Sequence, residues 1–248
     1  MRKCVVDTIS KEVEDAVAVC EFVRKNLLKV DVDGASSSKN RVHVIGLSTG
    51  AIIASLLRSR EGVADTIAVI AGLLDLTRGV EYDFSPLQLT QFERDGACWK
   101  EFYLPAGAPL PKGVEISIDG ETKAEIEDGG NEDESEDEGK RAVPSKIFIR
   151  LSKKYIDECR DESVLDIKSA VSSSSSSLPA QEANSHLLPP FLVIHGDADQ
   201  NVPFHNGEEL FSAASEPKSF QPIPKANHLL SNSKHLKRAL KAILEHTQ

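Results

Sequence analysis

An α/β fold, with a parallel sheet covered by helices, is predicted by three features of this 248-residue sequence. Short β-branched apolar runs at 41–46, 66–71 and 191–195 alternate with segments of helical period. These runs lack the polar alternation of one-sided strands, as strands buried on both faces do. A turn rich in glycine and serine joins the first run directly to a helix. Hydrophobic residues make up 40% of the chain and charged residues 27%, which is enough for a sizeable core.

Residues 10–28 read as an amphipathic helix, with Val13, Ala16, Val17, Cys20, Val23 and Leu27 recurring at three- and four-residue steps. Ser10 is the expected cap, acids fill the first turns, and Arg24, Lys25 and Lys29 sit at the end, which matches the helix dipole. The strand at 41–46 leads into a helix over 48–60, packed through Ile52, Ile53, Leu56 and Leu57. After the strands at 66–71 and 191–195, helices are expected over 206–214 and 231–246. The last of these packs through Leu236, Leu240, Ile243 and Leu244.

Two segments interrupt this alternation. Residues 104–143 open with Pro/Gly-rich sequence, carry a hairpin signal at Asp119-Gly120 between apolar runs, and end in an acidic stretch expected to be disordered over 131–140. The second is a six-serine run, Ser172 to Ser177, expected to act as a flexible linker. Core is therefore assigned to 1–103 and 144–248, with 104–143 as an insertion. The formal charge of −10 is local: the segment from Glu115 to Gly139 holds twelve acids and one lysine, so the rest of the chain is nearly neutral. With no basic cluster to meet phosphates, nucleic acid is not an expected partner.

No stretch of 18 apolar residues is present, so no membrane span is expected. The N-terminus has no apolar run of the secretory kind. Cys4, Cys20, Cys98 and Cys159 lie far apart, with neither CxxC nor zinc spacing. They read as reduced thiols of a cytoplasmic protein, and no metal or cofactor is expected.

The strongest chemical signal is Gly46-Leu47-Ser48-Thr49-Gly50, a GxSxG pattern between a strand and a helix. A serine lifted onto so tight a turn has strained backbone, and side chains two positions to either side are expected to clash, hence Gly46 and Gly50. The Oγ then faces a cleft, and the Thr49 amide at the helix N-terminus points at a developing oxyanion. Such a serine needs a base, and the base needs a carboxylate to orient it. Asp197 and Asp199 lie just past the strand ending at His195. His228 lies in a short loop before the last helix. His195 reads as a structural strand-end residue, and Trp99 and Phe102 as either pocket lining or core packing.

The GxSxG turn, the run His195-Gly196-Asp197-Ala198-Asp199-Gln200-Asn201-Val202-Pro203 and the stretch around His228 occur in the order Ser, Asp, His. Together they resemble the α/β-hydrolase superfamily, in particular its S33-aminopeptidase-like, dienelactone-hydrolase-like and cinnamoyl-esterase-like branch. The resemblance implies Ser48 as nucleophile, Asp199 rather than Asp197 as the acid, and His228 as the base. It also implies a small-molecule ester or thioester as substrate, with residues 80–103 and 144–165 contributing to a cap. It further implies strands ahead of residue 10 and a second oxyanion donor, which this sequence is expected to lack. The strand at 41–46 should then be a sheet edge. A truncated sequence, a catalytically poor relative and completion by a partner chain are the three explanations. A non-catalytic interaction protein that binds through its acidic insertion is the alternative reading.

Overall fold

The computed structural model describes residues 8–28, 41–103, 116–118, 121–123, 146–172 and 188–248. In chain order the elements are α1 (Ile9–Asn26), β1 (His43–Leu47), α2 (Thr49–Leu57), β2 (Thr66–Ile70), α3 (Leu76–Asp83), α4 (Pro86–Asp95), β3 (Ala97–Tyr103), β4 (Ile116–Ile118) and β5 (Glu121–Lys123). There follow β6 (Lys146–Ser152), α5 (Lys153–Cys159), α6 (Ile167–Ser172), β7 (Phe191–Gly196), α7 (His205–Ala213), β8 (Lys218–Ile223) and α8 (Ser233–His246). The expected disorder at 131–140, the turn at Asp119-Gly120 and residues 173–177 of the serine run lie outside the described residues. Ser172 itself closes α6 rather than starting a linker.

The chain divides into two units, the larger comprising Ile9–Asp83 and Glu158–Gln248. Its sheet runs β1-β2-β7-β8, all parallel, so the three strands expected from the sequence are neighbours. Every residue of β2 and β7 is buried, the polar Thr66 and His195 included, as their largely apolar sequences suggest. β8 has no such signature, and it contains Pro222. It lies at a sheet edge, where a missing amide is tolerated. β1 forms the other edge of this sheet, as expected.

α8 covers one face of the sheet. Its Ala239 and Ile243 join Ala68, Ile70, Leu192, Ile194 and Ile223 in one buried cluster. The expected stripe is corrected here: Leu236, Leu240 and Leu244 are exposed, and of the four residues expected to pack only Ile243 is buried. The register pairs Ile45 with Ala68 and Leu47 with Ile70, so both β1 side chains share the α8 face, and both are exposed. Likewise, Leu27, just past the end of α1, is exposed although its period suggested packing.

α2 packs on the opposite face, where the Arg58 guanidinium lies 4.8 Å from the Phe191 ring centroid. Arg58 is almost fully buried and donates to the carbonyls of Val171 (2.7 Å), Ser215 (2.7 Å), Pro189 (3.2 Å) and Pro217 (3.2 Å). One side chain thus ties the end of α2 to the end of α6 and to the approaches of β7 and β8. Burial pulls its pKa down to about 10, against the opposing pull of Glu216. Ser10 is not the cap of α1. The helix begins at Ile9, and the Ser10 amide donates to Glu158 Oε2 at 3.1 Å.

The smaller unit comprises Met1–Thr8 and Phe84–Asp157, and its sheet runs β3-β6-β4-β5. Each of these pairings is antiparallel. β4 and β5 pair Ile118 with Glu121, which leaves two residues between them, as the hairpin signal implies. α4, β3 and β6 were not expected. The start of α4 was nonetheless legible: Ser85 and Gln88 form a reciprocal capping box with Pro86 in the first turn. Phe84 packs edge-on against Phe92 and Tyr155, with the Lys100 ammonium over its ring. Trp99 and Phe102 are half-buried on β3.

Candidate active site

β1 ends at Leu47 and α2 begins at Thr49, which leaves Ser48 alone to make the turn. Its backbone stands at φ 57°, ψ −120°, a region L-residues rarely occupy, and its amide is held by the Ile70 carbonyl at 3.0 Å. The Ser48 carbonyl accepts from the Ala51 amide at 2.9 Å, so the turn leads straight into the helix. The Thr49 amide lies in the first turn of α2, where helical amides have no intrahelical acceptor.

The two glycines flanking this turn are not equivalent. A β-carbon on Gly46 would meet the Gly50 carbonyl oxygen at 2.1 Å, so position 46 admits glycine alone. A β-carbon on Gly50 would meet nothing within 4 Å. The expected clash therefore holds for Gly46 and is corrected for Gly50.

The structure brings Ser48, His228 and Asp199 into one chain of contacts. His228 Nε2 lies 2.9 Å from Ser48 Oγ, and His228 Nδ1 lies 2.9 Å from Asp199 Oδ2. With the Nδ1 proton donated to the carboxylate, Nε2 is left to accept from the serine hydroxyl. The Asp199 side chain is fully buried and that of His228 is 11% exposed. Asp199 Oδ1 accepts the amides of Asn201 and Val202, both at 2.9 Å. Burial alone would push the Asp199 carboxyl up. The bonds from His195, His228 and the Val202 amide outweigh it and hold the carboxyl well below the usual carboxylate range.

Asp197 stands apart from this chain. Its carboxylate accepts the Lys225 amide in the loop that carries His228, so of the two carboxylates in this turn only Asp199 faces His228. His195 is fully buried, as its strand-end reading implies. It also does something the sequence did not reveal: its Nε2 donates to the Val202 carbonyl at 2.9 Å and lies 3.5 Å from Asp199 Oδ2. Its Nδ1 is buried against Gly207 at the start of α7, with no hydrogen-bond partner among the described residues. Nothing in the local sequence signals this contact, because it depends on where the turn after β7 folds back.

A serine on a strained strand-to-helix turn, with an aspartate and a histidine in contact on the loops after the third and fourth parallel strands, defines an architecture. The fold is that of the α/β hydrolases. The prolyl oligopeptidase family matches residues 157–248 of this hydrolase-fold chain. Solved structures show the same fold. The esterase domain of a Rhodothermus marinus protein is 19% identical with a TM-score of 0.50, the match covering 94% of this chain and 66% of that one. Est1E from Butyrivibrio proteoclasticus is 12% identical with a TM-score of 0.52, over 97% of this chain and 71% of that one. The α/β hydrolase GrgF from Penicillium sp. sh18 is 13% identical with a TM-score of 0.50, over 97% and 73%. This hydrolase-fold chain therefore spans about two thirds of the first of these and somewhat more of the others. No curated protein matches it in sequence. Among the described residues no helix is long and apolar enough to cross a membrane, and no three His, Cys, Asp or Glu side chains are placed to hold a metal ion.

Proposed function

We propose that this chain is a serine hydrolase that cleaves a small carboxylic ester or thioester through an acyl-enzyme. The observation that carries the reading is the 2.9 Å contact of His228 Nε2 with Ser48 Oγ, backed by the 2.9 Å contact of Nδ1 with Asp199. Ser48 Oγ attacks the carbonyl carbon while His228 Nε2 takes its proton. The imidazolium so formed is stabilised by Asp199, whose charge is held by the Asn201 and Val202 amides against the cost of its burial. The Thr49 amide and the N-terminal end of α2 support the oxyanion. His228 then protonates the departing alkoxide or thiolate. Water, deprotonated by the same imidazole, attacks the acyl-serine and releases the acid.

The family match contains Asp199 and His228 but not Ser48, so it bears on acid and base and leaves the scissile bond open. An ester fits better than an amide, because an amine leaves only after fuller protonation. Est1E has been solved with ferulic acid bound, which makes aryl carboxylic esters a sensible first panel. The smaller unit is the proposed source of substrate choice.

A second reading is favoured by the exposed Ile45 and Leu47 on the edge strand: a non-catalytic protein that uses the fold to bind. Treatment with a fluorophosphonate probe separates the two. The first reading expects labelling of the parent at Ser48, none in Ser48→Ala, and strongly slowed labelling in His228→Ala. Label that persists in Ser48→Ala, or a folded parent that takes none, would sink it.

A further inference from the structure

The loop carrying His228 is bent unfavourably on both sides of the imidazole. Lys225 (φ 60°) and Leu230 (φ 51°) both occupy the left-handed region, where a residue with a side chain costs about 1 kcal/mol or more. Leu230 is fixed by its own burial, by its amide bond to the Asn227 carbonyl at 3.1 Å, and by the bonds of Asn227 to Ser231. The Lys225 side chain is exposed and provides no such anchor. Its backbone sits in a turn closed by the Ala226 amide on the Ile223 carbonyl at 3.2 Å, and its own amide is bonded to Asp197 Oδ1.

Asp197 sits two residues before Asp199 in the turn after β7. The same turn meets the base loop through its main chain: the Asp197 amide donates to the Ile223 carbonyl at 3.3 Å, and the Ala198 amide to the Ala226 carbonyl at 3.1 Å. A β-carbon on Gly196 would stand 2.3 Å from the Ala226 oxygen, so the two turns are in direct main-chain contact.

We propose that Asp197 is a positioning residue. Its carboxylate clamps Lys225 in the left-handed conformation and thereby sets His228 at bonding distance from Asp199 and Ser48. Asp197 touches none of the reacting atoms. With the clamp removed, Lys225 relaxes to negative φ, the three residues up to His228 shift, and the imidazole leaves its two partners. The inference rests on the reading of Ser48, His228 and Asp199 as catalytic.

The test compares the parent with Asp197→Ala, Asp197→Asn, Lys225→Gly and the double variant Asp197→Ala/Lys225→Gly, each checked for folding by circular dichroism. Two quantities are read: the rate constant of fluorophosphonate labelling at Ser48, and the His228 Nδ1–H resonance in ¹⁵N-edited NMR spectra. Asp197→Ala is expected to slow labelling about ten- to a hundredfold, the usual cost of a misplaced catalytic group, and to broaden or abolish the resonance. Asp197→Asn still offers an acceptor oxygen and retains most of the rate. Lys225→Gly restores most of it in the Asp197→Ala background, because glycine holds positive φ without a clamp. Parent-like labelling and resonance in Asp197→Ala overturn the proposal, as does a slowed Asp197→Ala that neither Asn nor Lys225→Gly rescues. A parent that does not label brings down the catalytic reading instead, and the resonance then decides. Its loss in Asp197→Ala and return in Asp197→Asn support the clamp, and its persistence in Asp197→Ala refutes it.

Discussion

Gly46 and the Gly50 carbonyl face each other across the turn at Ser48, so closely that a β-carbon at 46 would stand 2.1 Å from the oxygen. Gly46→Ala must open the turn and is expected to cost about 1–3 kcal/mol of stability through overpacking. Labelling of Ser48 should fall with it. Gly50→Ala meets open space inside a helix and is expected to be neutral or to stabilise by up to about 1 kcal/mol. Urea midpoints of the two variants provide the check. Equal destabilisation would refute the asymmetry.

Arg58 satisfies four backbone carbonyls from three separate segments while almost wholly buried. Arg58→Met removes the guanidinium donor from all four oxygens, of which Val171 and Pro217 keep backbone amide donors, and is expected to lower stability by about 3 kcal/mol. Arg58→Lys keeps the charge but lacks the planar fork, so it should not restore the loss. Recovery by lysine in urea unfolding would show that charge rather than geometry matters.

Burial pushes the Cys159 thiol up to about 12, helped by Glu158, Asp83 and Glu12. An unfolded chain ionises this thiol near pH 8.5, so folding then favours the protonated form. The contribution is present in full below about pH 8.5 and declines as pH rises toward 12, by about 2 kcal/mol at pH 10. Cys20 and Cys98 shift in the same direction, so the parent slope contains all three. Cys159→Ala should flatten the fall in stability measured between pH 8 and pH 10. An unchanged slope would exclude Cys159 as its source.

α8 carries two apolar stripes with different roles. Ile243 is buried against the sheet, whereas Leu240 (47% exposed) and Leu244 (64%) face outward. Ile243→Ala is expected to cost about 2–4 kcal/mol through the cavity it leaves. The pair Leu240→Gln and Leu244→Gln should shift stability by less than about 0.5 kcal/mol while reducing the binding of a hydrophobic dye. A large loss of stability in that pair would mean the outer stripe is packed in solution.

Much of the larger unit was legible. β2 and β7 announce themselves because a strand buried on both faces is mostly apolar, here with only Thr66 and His195 as polar members. The order of Ser48, Asp199 and His228 along the chain, each at a strand end, places the candidate site. Three features were not legible, each for its own reason. β8 contains Pro222, which is tolerated because the strand lies at an edge. The outer leucines of α8 fit the helical period, and only the breadth of the sheet beneath decides which stripe is covered. The roles of Asp197 and His195 depend on which neighbouring loop each meets.

The sequence by itself determined the alternation of strands and helices, the demand for glycine at position 46, and the residue types available for chemistry. These follow from local sterics and from the periodicity of burial, which a short stretch of chain expresses on its own. The motif resemblance had already favoured Asp199 over Asp197 as the partner of His228, and the structure agrees. Only the tertiary structure decided that Gly50 is free of steric demand. It also decided that Arg58 is a buried staple and that Asp197 grips the strained backbone of the base loop. Those outcomes rest on contacts between residues far apart in sequence, whose distances exist only once the parallel sheet has brought its strand ends together.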